Sequence, residues 1–176
     1  MGTSDTETRA PVRPAGPTGR IPWSSRLIQE WAGIKYSHAT VLYELRLGPT
    51  EKHLVNVQVT PALEAMLRLS NWYADGVILA PEENLIIEAK MDPNPSAVGQ
   101  VLFYQRLVYA TPALGAYNSR PYYPVVLFAE DDSEITPWAR GLGVRVEVYT
   151  PSWIGQYLQA VQFRNRTTVP KIPGEG

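Results

Sequence analysis

The amino-acid sequence predicts an α/β domain in three layers, a central mixed β-sheet flanked by helices. Three observations predict it. Short runs such as VLYELRL, GVILA, NLII and PVVLF alternate apolar and polar residues or are continuously apolar, as half-buried and buried strands are. Longer proline-free stretches such as SSRLIQEWAGI and AVGQVLFYQRLVYA carry apolar residues at helical spacing. The two kinds of segment interleave along the chain, which is the pattern of a sheet covered on both faces.

Residues 1–20 are rich in Thr, Pro and Gly and nearly free of large apolar side chains, so they are expected to form a flexible arm. The domain proper is expected to span 21–166, and 167–176 (TTVPKIPGEG) to be a flexible tail. In SSRLIQEWAGI, Ser24 or Ser25 can cap a helix whose stripe is Leu27, Ile28, Trp31 and Ile34, with Glu30 off its centre. VLYELRL and HLVNVQV flank GPTEK and read as a hairpin. After Pro61, ALEAMLRLS has the composition of a short helix. WYADGVILA and ENLIIEAK read as two strands around a turn at Pro81–Glu83. AVGQVLFYQRLVYA follows a proline-rich break and is the clearest helix in the chain. YYPVVLFAE, a helix near Ile135–Leu142, VRVEVY and SWIGQYLQAVQF then give strand, helix, strand, helix. Pro124 places a limit on the first of these strands, because its missing amide suits a strand start or an edge.

Composition narrows the chemistry. In 176 residues, 16 Lys plus Arg face 17 Asp plus Glu, so no global charge draws the chain to nucleic acid and any such site must be local. The absence of Cys excludes disulfides, thiolate metal sites and a cysteine nucleophile. With His38 and His53 as the only histidines, a three-histidine zinc site is excluded, and metal chemistry must use carboxylates. No apolar run approaches a membrane span and the N-terminus lacks a signal-peptide core. The expectation is a protein that is not secreted, cytoplasmic or virion-associated, with no membrane partner.

The residues that carry chemistry cluster in the second strand pair and the helix after it. ENLIIEAK is a buried strand that ends on two charges, and Glu88 and Lys90, two apart, project to one face while Ala89 turns its side chain away. Asp75 lies in the preceding strand, where the turn lets it come close to Glu88. Two carboxylates with the Ala89 carbonyl are hard oxygen donors suited to Mg²⁺ or Mn²⁺. A lysine beside them can orient water or stabilise charge on a phosphate under attack. Other polar clusters read more plainly: AEDDSE (129–134) as the acidic N-terminus of a helix, and the Arg-rich C-terminal segment as a helix face or a nucleic-acid contact.

Asp75 followed after twelve residues by Glu88-Ala89-Lys90 resembles the D…(D/E)xK signature of the PD-(D/E)XK nuclease superfamily. Gln100-Val-Leu-Phe-Tyr104 is similar to the QxxxY motif of its RecB-like exonuclease branch. The likeness covers roughly residues 24–130, including the core order αβββαβ, and departs from the pattern at Ala74, where many members have Pro. The resemblance implies a metal-dependent deoxyribonuclease with a restriction-endonuclease-like fold. Asp75 and Glu88 would bind Mg²⁺ or Mn²⁺ with the Ala89 carbonyl, Lys90 would position the water, Gln100 would contact the site or substrate, and Tyr104 would support it. An extra acid from the first helix would be Glu30, with Glu44 as its competitor. DNA is the implied partner. The alternative is a silent nuclease fold used as a structural or docking module, for example in a phage particle or DNA-processing complex, with self-association or a larger assembly formed through the N-terminal arm.

Overall fold

The computed structural model describes residues 22–48 and 72–167, with side chains through residue 161. The elements in order are α1 (Trp23–Lys35), β1 (Thr40–Leu47), β2 (Trp72–Leu79), β3 (Asn84–Lys90), α2 (Pro95–Leu107), β4 (Tyr122–Phe128), α3 (Ile135–Gly141), β5 (Arg145–Val148) and α4 (Ile154–Thr167). The HLVNVQV strand and the ALEAMLRLS helix lie outside the described residues, as do the N-terminal arm and most of the C-terminal tail.

The five described strands form one mixed sheet in the order β1-β2-β3-β4-β5. β1, β2 and β3 are antiparallel, and β3, β4 and β5 are parallel. The parallel pairs need crossovers, which α2 and α3 supply. Two cores follow from the alternation of side chains along the strands. One face, with Val77, Leu79, Ile86, Val126 and Phe128, packs against Val98, Val101 and Tyr104 of α2 and Ala139 of α3. The other, with Ile78, Leu85, Ile87 and Leu127, packs against Leu27, Ile28 and Trp31 of α1 and Trp153 before α4. The chain is therefore an α/β three-layer sandwich, as its sequence predicts.

Local chemistry explains where the elements start and stop. Asn94 caps α2, its side-chain oxygen accepting from the Ala97 amide at 3.1 Å, with Pro95 in the first turn. The helix ends at Leu107, three residues short of the apolar stretch, and the chain continues as 3₁₀ turns. There Thr111 donates its hydroxyl to the Leu107 carbonyl and accepts from the Gly48 amide, both at 2.9 Å. Neither Ser24 nor Ser25 caps α1: Pro22 is the N-cap, its carbonyl accepting from the Arg26 amide at 3.0 Å, and Ser25 is buried in the first turn. Pro124 lies one residue before β4 begins to pair with β5 at Val125, so β4 is locally an edge where the proline stands. A Cβ on Gly76 would lie 3.1 Å from Ile28 Cδ1, so this glycine lets α1 settle close on β2 next to Asp75.

Candidate functional site

The site is built where two neighbouring strands part. Pairing between β2 and β3 runs from Leu79↔Asn84 to Gly76↔Ile87, whereas β3 stays paired with β4 as far as Lys90↔Phe128. Beyond Gly76, the Asp75 side chain takes over from the backbone ladder. Its Oδ2 accepts from the Ala89 amide at 2.9 Å. This bond ties Asp75 to the strand that carries Glu88 and Lys90. The Lys90 ammonium in turn donates to Glu88 Oε1 at 2.5 Å. Ala89 points its methyl into the α1-side core, as the strand alternation requires.

Burial sets the electrostatics. Glu88 is 3% exposed, and its carboxyl is pushed up to about 7, first by burial and then by the neighbouring Asp75, against the opposing pull of Lys90. Asp75 is also raised. Burial is again the main cause, with the Ala89 amide and Lys90 opposing it and Glu44 adding repulsion. Among the described residues, Lys90 is the cation that offsets the charge of this pair. Lys90 keeps 34% of its side chain in contact with solvent, so the site has an open side.

Glu44 lies on β1 between Tyr43, which pairs with Gly76, and Leu45, which pairs with Ala74, so it stands across from Asp75. It is the one described non-glycine residue with positive φ, at 45°. The strand alternation slips here: Leu42 faces the α2-side core, Tyr43 the other, and then Leu45 and Leu47 the α2 side again. β2 slips in step, with Ala74 and Val77 both on the α2 side and Asp75 between them. Such strained backbone is held only where surrounding structure over-determines it, and it concentrates at functional sites.

Gln100 and Tyr104, four apart on α2, share a helix face. Tyr104 is buried in the α2-side core, and its hydroxyl is pushed up to about 12 by burial and by Glu88 and Asp75. It stays protonated near neutrality and remains a potential donor beside the acidic pair. The Gln100 side-chain oxygen is buried and has no hydrogen-bond partner.

Glu30 is not brought to this group. Its carboxylate accepts from Trp153 Nε1 at 2.6 Å and from the Tyr149 hydroxyl at 3.4 Å, and pairs with Arg26 at 3.4 Å. Its place on the flank of α1 aims it at the segment leading into α4, which it ties to α1. Of the two acids considered for the extra position, Glu44 is the one whose charge acts on Asp75. The acidic tract 129–134 does what its sequence suggests. Asp132 accepts from the amides of Glu134 and Ile135 at 2.9 and 2.7 Å at the start of α3, and Asp131 accepts from the Thr136 hydroxyl at 2.7 Å.

The donor set fits a small hard cation. A buried carboxylate, Glu88, and a half-buried one, Asp75, stand together, both raised in pKa, and Mg²⁺ characteristically takes one or two carboxylates and completes its shell with water. Among the described residues no group of three or more His, Cys, Asp or Glu side chains is gathered for metal binding, so further ligands would come from the Ala89 carbonyl and solvent. Sequence reasoning passed over Trp72 and Phe103, two aromatics left exposed beside Tyr104. The available signal was a Trp three residues before the acid and a Phe next to the motif Tyr.

What the fold and site define together is a class: an α/β sandwich with a half-buried aspartate, a buried glutamate and a lysine at the fork of two strands. No family model matches the chain, and no curated protein matches it. Among solved structures, a crystal structure described as a protein of unknown function, AF1548, is similar at a TM-score of 0.45 and 10% identity, covering 85% of this chain and 72% of that one. Among the described residues no helix is long and apolar enough to cross a membrane.

Proposed function

We propose that this chain is a metal-dependent nuclease of the PD-(D/E)XK type that hydrolyses DNA phosphodiester bonds. One observation carries the reading: the Asp75 carboxylate bridges to the Ala89 amide at the fork of β2 and β3, so that Asp75, Glu88 and Lys90 stand together. The order α1-β1-β2-β3-α2-β4 and the shared face of Gln100 and Tyr104 support it. In this reading Asp75, Glu88 and the Ala89 carbonyl hold Mg²⁺ or Mn²⁺, and Glu44 acts on the site through its charge on Asp75. Such a cation, when bound, polarises a phosphoryl oxygen and lowers the pKa of water. Lys90 is kept in place by Glu88 and offers a fixed positive charge to the attacking water or to the phosphate. Tyr104 stays protonated and acts as a hydrogen-bond donor, while the unpaired oxygen of Gln100 is an acceptor for water or substrate.

The test is cleavage of plasmid, linear duplex, single-stranded and branched DNA with Mg²⁺ or Mn²⁺, for the wild type, Lys90→Ala and a chelator control. Cleavage lost in both controls is the expected result. Absence of cleavage on every substrate, with no divalent-ion binding by calorimetry, would overturn the reading in favour of a silent fold used for docking.

A further inference from the structure

Beside the acidic pair lies an aromatic ledge. Trp72 is 44% exposed and Phe103 41%, and their rings meet edge to face with centroids 4.9 Å apart. The Trp72 ring is also 6.5 Å from that of Tyr104, whose hydroxyl responds to the charges of Glu88 and Asp75. Tyr104 thus joins the ledge to the carboxylates. Leaving two large rings partly in water forfeits burial that either could have gained in the core.

The charges around the site say what such a ledge is for. On the four elements that build it (β1, β2, β3 and α2) the cations are Arg46, Lys90 and Arg106, and the acids are Glu44, Asp75 and Glu88. Among the described residues of these elements the charges balance, and Lys90 is already engaged by Glu88. Among the described residues, few cations are thus placed for phosphate attraction, the main source of affinity for duplex DNA. Stacking of bases on aromatic rings adds affinity beyond phosphate attraction, tolerates any sequence and is available only where base faces are not already stacked in a duplex.

We infer that Trp72 and Phe103 form a stacking platform for the bases of single-stranded DNA, so that the preferred substrate of the site is an unpaired strand. The inference rests on the nuclease reading above and assigns that site its substrate class. The platform holds the bases while the connecting phosphodiester reaches toward Asp75 and Glu88.

The experiment is binding of fluorescent oligo(dT) and of a matched duplex, by anisotropy, to the full chain carrying Asp75→Asn, which keeps the probe intact. Oligo(dT) is expected to bind more tightly than duplex. Adding Trp72→Ala should weaken oligo(dT) binding about tenfold and leave duplex binding unchanged. Adding Trp72→Phe should retain most of the affinity, which separates lost stacking from misfolding. Equal binding of duplex and oligo(dT), or Trp72→Ala matching its parent, or Trp72→Phe as weak as Trp72→Ala, would overturn the platform. The two proposals fail separately. Ledge-dependent binding with no cleavage by the wild type would sink the nuclease reading, whereas cleavage with a single-strand preference untouched by Trp72→Ala would sink the platform.

Discussion

Glu88 and Asp132 are carboxylates near the ends of adjacent parallel strands, and the fold treats them in opposite ways. Asp132 sits in solvent at the start of α3, accepts from two backbone amides, and is held below the usual carboxylate range by them. Glu88 is buried beside a second carboxylate, with its one hydrogen-bonded cation, Lys90, in front of it, and is pushed up to about 7. The acidic tract 129–134 carries more negative charge in sequence, yet each of its bonds there has a structural use. The fork of β2 and β3 carries less, and among the described residues Lys90 is the cation that offsets it. Density of acidic residues is thus a poor guide to a site, and burial without matched partners is a better one.

The largest effect tests whether the fork does chemistry at all. Lys90→Ala should lower cleavage by at least ~10²-fold with little change in fold, since part of the side chain is solvent-exposed. A variant that retains wild-type turnover would reduce the fork to a buried ion pair.

The next effect is on stability and has a definite sign. Glu88 is raised from 4.5 to about 7 in the folded chain. The folded state therefore binds the proton more tightly than the unfolded state, and stability falls as pH rises between those two values. Glu88→Gln should remove this slope and stabilise the protein at about pH 8 by on the order of 3 kcal/mol, while abolishing cleavage. Urea unfolding in chelator at acidic and basic pH reads both. Added Mg²⁺ should likewise flatten the slope for the wild type and fail to do so for Asp75→Asn. A wild type equally stable across that range would mean that the pair is better solvated than its burial indicates.

A smaller effect separates the two extra acids. Glu44→Gln should weaken the apparent affinity for Mn²⁺ by roughly tenfold, measured by calorimetry, whereas Glu30→Gln should leave it unchanged. Glu30→Gln keeps an acceptor for Trp153 Nε1 but loses the ion pair with Arg26, so its mark should be a modest fall in Tm. The reverse ranking would return the ligand role to α1.

The layers, the helix–strand alternation and the pairing of Glu88 with Lys90 were legible in the sequence because each depends on local periodicity. So was the placing of the acidic tract at a helix N-terminus. What was not legible depends on how strands meet. The partner of β1 among the described strands is β2, a contact across 24 intervening residues that no local pattern encodes. The choice between Glu30 and Glu44 could not be read either. The slip of alternation at Glu44 and Trp153 reaching back to Glu30, which place the two acids differently, are both tertiary. Trp72 and Phe103 look in sequence like ordinary core residues. Only their neighbours leave them exposed.

The smallest effect probes the other side of the opening comparison. Asp132 is lowered because its ionised form accepts from the amides of Glu134 and Ile135, so its contribution is present above its unfolded pKa and is lost as pH falls through the folded value. That direction is opposite to the slope from Glu88. Asp132→Asn retains an acceptor oxygen for the same amides and should shift Tm less than Asp132→Ala, which leaves the first turn of α3 uncapped. Neither variant should alter cleavage or the stability slope assigned to Glu88, because α3 meets the site only through the shared core behind α2. Thermal unfolding of the two variants against Glu88→Gln, at neutral pH and in acid, would show the two carboxylates acting in separate pH windows. If Asp132→Ala changed the Glu88 slope as well, the two strand ends would be coupled, and the contrast between a capping carboxylate and a site carboxylate would be one of degree.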